Sequence, residues 1–547
     1  MTTESAEEQA WGRVLICGGT DWATNGRKER PSGTIPTDLM SPHILRSFSN
    51  VKISKLITGP SANYAIVLDI YGAAYLFGRP PALSSSPNGV ISENNPLKIS
   101  PSSVGLPKGS KWIRGAAGRG HFLLLDSEGG VWGCGNNVVG QLGLPVCNTV
   151  DRLTKIGGPW VREPDTKIVQ ATAGHSFSLF LTSAGQVFAS GSSEFGQVGN
   201  GKTGERLVKA GKVAYDIEVP PRLVQGFEKD KVRIIEIASG NQHSLALDDE
   251  GYVYAWGYAG YSRLGLQDQK DRLVPTLVPQ FAGSNIASRA RMVACGPTSS
   301  MVVDRQDMLL MAGKWKLTGD GSTGQPYTRF KHIQDVMACK VIKATSGGCT
   351  HFITTQDPDG GVMTVGFGQG VLYGELGLGS DTGKSATKPQ KIAPLSGVDV
   401  IDVAGGAFST LFLARPNARL SELERYPERI NSASECVVCH INNDDPLECE
   451  RCDQPYHTRC LDPPLPSIPE GEWFCPDCAS HANAGPDEPF HPVLGLAKNR
   501  KAKQTEGTLS GASSEATNVT SNEDVLKASK RKHDEEPAHE DIKKLKS

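Results

Sequence analysis

Between Val232 and Gly265 the chain alternates strand-length apolar runs with polar punctuation. Ile234–Ala238, Ser244–Leu247 and Tyr252–Trp256 each suit one strand, and Asp249-Glu250-Gly251 marks a turn between the last two. Gly240 and Gly257 stand where a strand has to bend. Gly260 and Gly265 bracket a loop plugged by Leu264. Nothing in this stretch has a helical period. Three such strands cannot bury both of their faces alone, so the pattern implies neighbours of the same kind.

Those neighbours recur along the chain. Gly118-Arg119-Gly120-His121 opens one copy, followed by Gly140-Gln141-Leu142-Gly143. Gly174 opens another, followed by Gly196-Gln197-Val198-Gly199. Weaker copies begin at Gly59, Gly296 and Gly348, and the last carries Gly374-Glu375-Leu376-Gly377. A seventh copy begins at Gly406 and stops after two strands. Its missing strand stands at the other end of the chain, as Val14–Gly18. A period of about 50–66 residues suits a four-stranded blade with a long loop. Sharing one blade between the two ends of the chain removes the open edges. The expected fold is all-β: a seven-bladed β-propeller over residues 11–414, after a loose stretch over 1–10. Arg27 to Asn50 reads as a long surface loop. Gly201 to Pro221 reads as an enlarged connection with a protruding hairpin at 207–220.

The blade pattern ends at Ala414. Residues 415–433 read as a linker with a short helical pattern at 418–426. Residues 434–480 form a cysteine-rich module. Residues 481–547, poor in apolar side chains, read as a disordered charged tail. The whole chain is nearly neutral, with 57 basic and 59 acidic side chains. That balance hides a strongly acidic module: residues 433–480 hold ten acidic and two basic residues. Seven of the thirteen cysteines lie between Cys436 and Cys478. The N-terminal stretch is acidic and lacks the apolar core of a signal peptide, and no apolar run is long enough to span a membrane. A soluble intracellular monomer is expected, with cysteines serving as thiols or metal ligands.

The cysteine-rich ligands come in pairs: Cys436 and Cys439, Cys449 and Cys452, His457 and Cys460, Cys475 and Cys478. A two-residue spacer lets both members of a pair reach one ion, so seven thiolates and one imidazole suit two Zn²⁺. The order, four cysteines, one histidine and three cysteines, is similar to a PHD finger. A RING finger would place histidine where Cys452 stands. The PHD resemblance implies cross-braced sites, Cys436, Cys439, His457 and Cys460 around one ion and Cys449, Cys452, Cys475 and Cys478 around the other. It also implies that Trp473 packs the core. The acidic surface should repel phosphate and attract a basic peptide. PHD fingers read the N-terminal tail of histone H3. The resemblance implies peptide contacts at Asp445, Leu447, Glu448, Glu450, Pro469, Glu470 and Gly471. Pro455 replaces the aromatic wall of a methyl-lysine cage, and no aromatic lies between Cys439 and Cys452. An unmethylated lysine at the fourth position of that tail is the expected ligand.

The repeat itself, with Leu15–Pro31, Tyr215–Val224 and Gly260–Pro275, resembles the regulator of chromosome condensation family, its mitotic telophase-disc branch above all. The resemblance covers roughly three quarters of the chain. It implies a nuclear, chromatin-associated protein that docks on nucleosomes and uses its propeller as an interaction platform. The alternative is guanine-nucleotide exchange on a Rho/Ran/Ral-like small GTPase, with Arg119, Asn241 and Gln242 on the exchange face. His121, His243 and His351 recur at one blade position and are expected to serve the fold. Gly366–Gly370 lacks the lysine and the strand–helix context of a phosphate loop, so a metabolic enzyme is not expected. Lys498–Lys503 and Lys527–Lys532 read as nuclear-import clusters.

Overall fold

The computed structural model describes residues 10–491, apart from 27–36, 82–90, 164, 228–231, 315–324, 358–359, 370, 383–385, 432, 443–445, 470, 483–484 and 486. The two basic clusters at 498–503 and 527–532 lie outside the described residues. No helix among the described residues is long and apolar enough to cross a membrane.

Seven antiparallel sheets form the ring. Blade one spans Ile53 to Ile99, blade two Trp112 to Ile156, blade three Ile168 to Leu223 and blade four Ile234 to Leu277. Blades five and six span Ala290 to His332 and Val341 to Lys391. Blade seven joins Val400–Gly405 and Ser409–Ala414 to Arg13–Gly19 and Asp38–Leu45. Arg13 to Gly18 pairs residue by residue with Ala414 to Ser409, so the expected closure is present. The core lies in layers between neighbouring blades. Leu245, Val253 and Phe281, for example, share a cluster with Val293, Val302 and Phe330 of the next blade.

Glycine sets one recurrent corner. Gly257 ends the third strand of blade four at φ +94°, and an added Cβ would lie 2.6 Å from the Gln242 carbonyl oxygen. A side chain there is excluded both by conformation and by the adjacent strand. Each innermost strand also carries a register shift one residue in, as between Trp112 and Arg114 or Ile234 and Glu236.

Four expectations need correction. Within the expected loop at 27–50, Asp38–Leu45 is the fourth strand of blade seven. Its Ser and Pro content hid it, because only an outer strand tolerates proline. The expected linker is not free: Arg425–Tyr426 adds a fifth, parallel strand against Ile44 and Leu45. The hairpin is shorter than expected. It pairs Arg206–Leu207 with Val213–Ala214, while Ile217–Leu223 belongs to blade three. The region expected to be disordered begins too early. A helix runs Pro476–Ala482, and Phe490 packs on Phe48 and Tyr75 of the propeller.

Candidate zinc centre and its seat on the propeller

Two knuckles begin the metal sites. His440 and Asp453, each just past a Cys-x-x-Cys pair, hold positive φ values of 58° and 53°. Their N–H groups turn back to the carbonyls of Cys436 and Cys449, at 2.8 and 2.9 Å. The turns bring both sulfurs of each pair to one point. Cys436, Cys439, His457 and Cys460 form one cluster and Cys449, Cys452, Cys475 and Cys478 the other, with ligand atoms within 4.8 Å of one another in each. The cross-braced pairing matches the expected ligand sets. His457 turns Nδ1 toward the Cys439 and Cys460 sulfurs, at 3.3 and 3.8 Å. The N–H groups of His457 and Cys475 donate to the sulfurs of Cys436 and Cys449, at 3.4 and 3.2 Å.

The chemistry of these donors fits zinc. In the all-sulfur cluster, hydrogen bonding from Cys452 holds the Cys449 thiol far below its ordinary range. The same contact, seen from the other side, pushes Cys452 far above it. Four packed sulfurs cannot all ionise without a cation, and a doubly charged ion removes that conflict. The module binds two zinc ions. Around the sites, Tyr456 meets Trp473 edge-on at 5.6 Å, and Leu461 completes a core scarcely larger than the ligand sets themselves.

The finger is seated on the propeller through arginines. Arg46 follows Asp38–Leu45, the fourth strand of blade seven, and is almost wholly enclosed. It pairs with Asp453 at 2.7 Å, both side chains being 6% exposed, and donates to the carbonyls of Pro427, Glu428 and Glu450. Arg13 pairs with Glu472 at 2.8 Å. Asn50 donates to the Cys478 carbonyl at 2.6 Å. Beyond the finger's helix, Lys98 of blade one holds the carbonyls of Gly485 and Glu488. Arg451, buried at 1% exposure, donates to the His491 carbonyl. Sequence reading missed Arg13, Arg46 and Asp453, because a single arginine beside an apolar strand looks like any surface cation.

The expected peptide surface is partly committed to the chain's own cations. Leu447–Glu448 pairs on one side with Pro455–Tyr456, and among the described residues no strand pairs with its other edge. Glu450 forms an ion pair with Arg425, and Glu448 pairs with Arg429 at 3.1 Å. Pro469 and Gly471 lie on a surface loop, Gly471 at φ +91°. Asp445 and Glu470 lie outside the described residues.

At the opposite end of the strands, Arg119 and Asn241 line a central cavity of about 760 Å³. Gln242 is not among its lining residues; its carbonyl accepts from the Tyr258 N–H. The hairpin beside this face carries Leu207, 79% exposed. His121 and His243 are buried and reach Ser178 and Ser300 of the next blade, each at 3.0 Å. His351 instead meets Ser346 in its own blade. Gly366–Gly368 continues a strand, so no phosphate loop forms there.

A family model described as an RCC1-like domain matches residues 9–412, and a PHD-finger model matches residues 436–478. The RCC2 homologue of Xenopus laevis is 30% identical over 440 residues, covering 77% of this chain and 81% of its own. Human RCC2 is 28% identical, covering 76% and 79%. Among solved structures, Prp20p from Saccharomyces cerevisiae shares the propeller fold. It is 19% identical with a TM-score of 0.58, covering 75% of this chain and 92% of its own.

Proposed function

The chain belongs to the RCC1-like domain family, and from that premise we propose that it is a nuclear, chromatin-associated protein whose finger binds the N-terminal tail of histone H3. The edge of Leu447–Glu448 that no described strand pairs with carries this reading. A basic peptide can add there as a further strand, using main-chain hydrogen bonds for affinity and neighbouring carboxylates for specificity. Asp445, Glu448 and Glu450 supply those carboxylates, and Pro469–Gly471 supplies carbonyls for the peptide's free amino terminus. With Pro455 in place of a cage wall, a methylated lysine gains no cation–π partner and loses hydrogen-bond donors. The solved relative Prp20p is described with binding properties to Gsp1p and histones, which supports a chromatin role for the shared fold.

Calorimetry on the full chain tests the reading with unmodified, lysine-trimethylated and amino-acetylated H3 peptides. The unmodified peptide should bind tightest. Each lost charge-assisted bond should cost about 1–3 kcal/mol, and Asp445→Ala should weaken binding with zinc content unchanged. Equal or tighter binding of the trimethylated peptide would overturn it.

A second reading, nucleotide exchange on a small GTPase, is favoured by one feature. The hairpin, between the third and fourth strands of blade three, presents Leu207, Val208 and Val213 to solvent, and a cavity at the same end of the strands is lined by Arg119 and Asn241. Exposed apolar side chains on a protruding hairpin suit insertion into a partner. Nucleotide release measured on a panel of Rho-, Ran- and Ral-like GTPases tests it. Acceleration that Leu207→Asp abolishes supports exchange, and no acceleration on any member rejects it.

A further inference from the structure

Every innermost strand starts at the end of the ring that carries the finger. Arg13, which holds Glu472 of the finger, begins the third strand of blade seven, and in an antiparallel blade the first and third strands run the same way. The central cavity lies at the other end, beside the loops that leave the innermost strands.

At the starting end one position is basic in five consecutive blades. Lys52, Lys111, Lys167, Arg233 and Arg289 each stand immediately before the innermost strand. The backbone makes these positions equivalent. The carbonyls of Lys111, Lys167 and Arg233, for example, accept from the N–H groups of Ser127, Ser183 and Asp249, each in the turn between the second and third strands. Two of the five cations are occupied. Lys52 lies 4.8 Å from the Trp11 ring, and Arg289 pairs with Glu250. Lys111, Lys167 and Arg233 are exposed and form no ion pair among the described residues. They make an arc centred on blade three, on the far side of the ring from the finger's seat on blade seven.

Behind these cations stands an aliphatic layer. Ile113, Val169 and Ile235 are 41%, 38% and 50% exposed. Each is the residue that the register skips, between Trp112 and Arg114, Ile168 and Gln170, and Ile234 and Glu236. A bulge re-aims its extra side chain out of the pairing pattern. The strands involved are close neighbours: the Gln170 side chain bonds both the N–H and the carbonyl of Ile237 across the blade boundary. The layer beneath, Arg114, Gln170 and Glu236, is polar again, so the apolar contact is confined to one depth. Apolar side chains grouped in this way within a polar rim mark an interaction site.

The order in depth selects the partner. The cations lead, and each aliphatic lies two residues, about 7 Å, further along the strand. A surface that lies on a bilayer sinks its apolar side chains deepest into the lipid, so they stand outermost with cations behind them. Here the cations stand outermost. A nucleic acid would meet the cations through its phosphates, but its bases stack on aromatic rings, and this inner layer is wholly aliphatic. A free anion offers nothing to cover it. We propose that the arc binds an acidic segment of a partner protein that carries an apolar side chain between its carboxylates. The apolar side chain covers Ile113, Val169 and Ile235, and the carboxylates on either side of it pair with Lys111, Lys167 and Arg233 at the rim.

Fluorescence anisotropy on the full chain tests the arc, using a short fluorescein-labelled peptide with one leucine between two pairs of glutamates. Control peptides replace the leucine by serine or the glutamates by glutamine. A short single-stranded oligonucleotide and phosphatidylserine vesicles are the competitors. Lys167→Ala and Arg233→Ala should each weaken binding roughly three- to tenfold and flatten its salt dependence. Ile235→Ser should weaken it by about as much with the salt dependence unchanged. Both control peptides should bind roughly tenfold more weakly, and neither competitor should displace the acidic peptide. A melting curve confirms that each variant is folded. The H3 peptide, titrated in parallel, should bind the Arg233→Ala, Ile235→Ser double variant as it binds the wild type, because the finger and the arc are separate sites. Undetectable binding of the acidic peptide would overturn the proposal. So would unchanged affinity in the double variant, equal binding of the serine peptide, or displacement by the oligonucleotide or the vesicles.

Discussion

His121 and His243 show how one residue can join two blades and set a pH limit. Ser178 Oγ donates to the Gln141 carbonyl at 2.7 Å, and Ser300 Oγ donates to the Arg263 carbonyl at 2.6 Å. Each hydroxyl proton is used there, so the serine oxygen accepts from the histidine Nε2–H. Among the described residues, Nδ1 of each is left buried and without a hydrogen-bond partner. A second proton would place charge at that dry nitrogen. Burial accordingly lowers His121 to about 4, and pushes His243 well below its ordinary value. The folded pKa is thus below the unfolded one, near 6.5. As pH falls through 6.5 the unfolded chain takes up a proton first. Stability is full above that value and is lost progressively down to about 4. The loss from His121 alone is on the order of 3 kcal/mol over that window. The melting temperature of the wild type should fall between pH 7 and pH 5, and His121→Gln should show a shallower fall. Equal slopes for the two proteins would show that this imidazole does not govern the acid limit.

At the scale of elements, strands were legible wherever alternation or a short apolar run met a glycine turn. The three strands expected in blade four stand within a residue or two of their sequence positions, and Arg272–Leu277 adds the fourth. So do the ligand pairs of the finger, because zinc chemistry fixes their spacing. Elements held by long-range contact were not legible. Arg425–Tyr426 becomes a strand only because Ile44 and Leu45 offer it an edge. Phe490 is an isolated aromatic in a polar stretch until Phe48 and Tyr75 bury it. The same linker strand changes the view of the peptide surface. Arg425 and Arg429 sit on carboxylates that the proposed basic peptide would use, so such a peptide would compete with the chain's own arginines. The Arg429–Glu448 pair is well exposed, and such a pair is worth at most about 1 kcal/mol. Arg429→Ala should therefore tighten H3-peptide binding by about two- to fivefold. Calorimetry checks this, and unchanged or weaker binding would show that Arg429 does not compete.

At the largest scale, the propeller is closed and capped by the finger at one place, which couples parts that the sequence presents as separate. Blade seven holds both ends of the propeller, and the finger rests on its Arg13 and Arg46. Zinc that folds the finger should therefore also stabilise the ring, as any ligand of the native state does. Adding a chelator should lower the propeller's melting temperature as well as unfold the finger. A propeller transition that the chelator leaves in place would mean that the docking contacts carry no stability. Deleting residues 1–20 makes the stronger test. The deletion removes Arg13–Gly19, the strand that pairs with both Ser409–Ala414 and Asp38–Leu45. Two strand edges would then open in one blade, and the ring would lose Val14, Leu15, Ile16 and Cys17, all fully or almost fully buried. The finger would lose its Arg13 pairing in the same step. Open edges of this kind invite pairing between molecules. The truncated protein should elute as aggregates in size-exclusion chromatography and lose its cooperative calorimetric transition. If it stays monomeric and melts as the full chain does, the ring closes without its N-terminal strand.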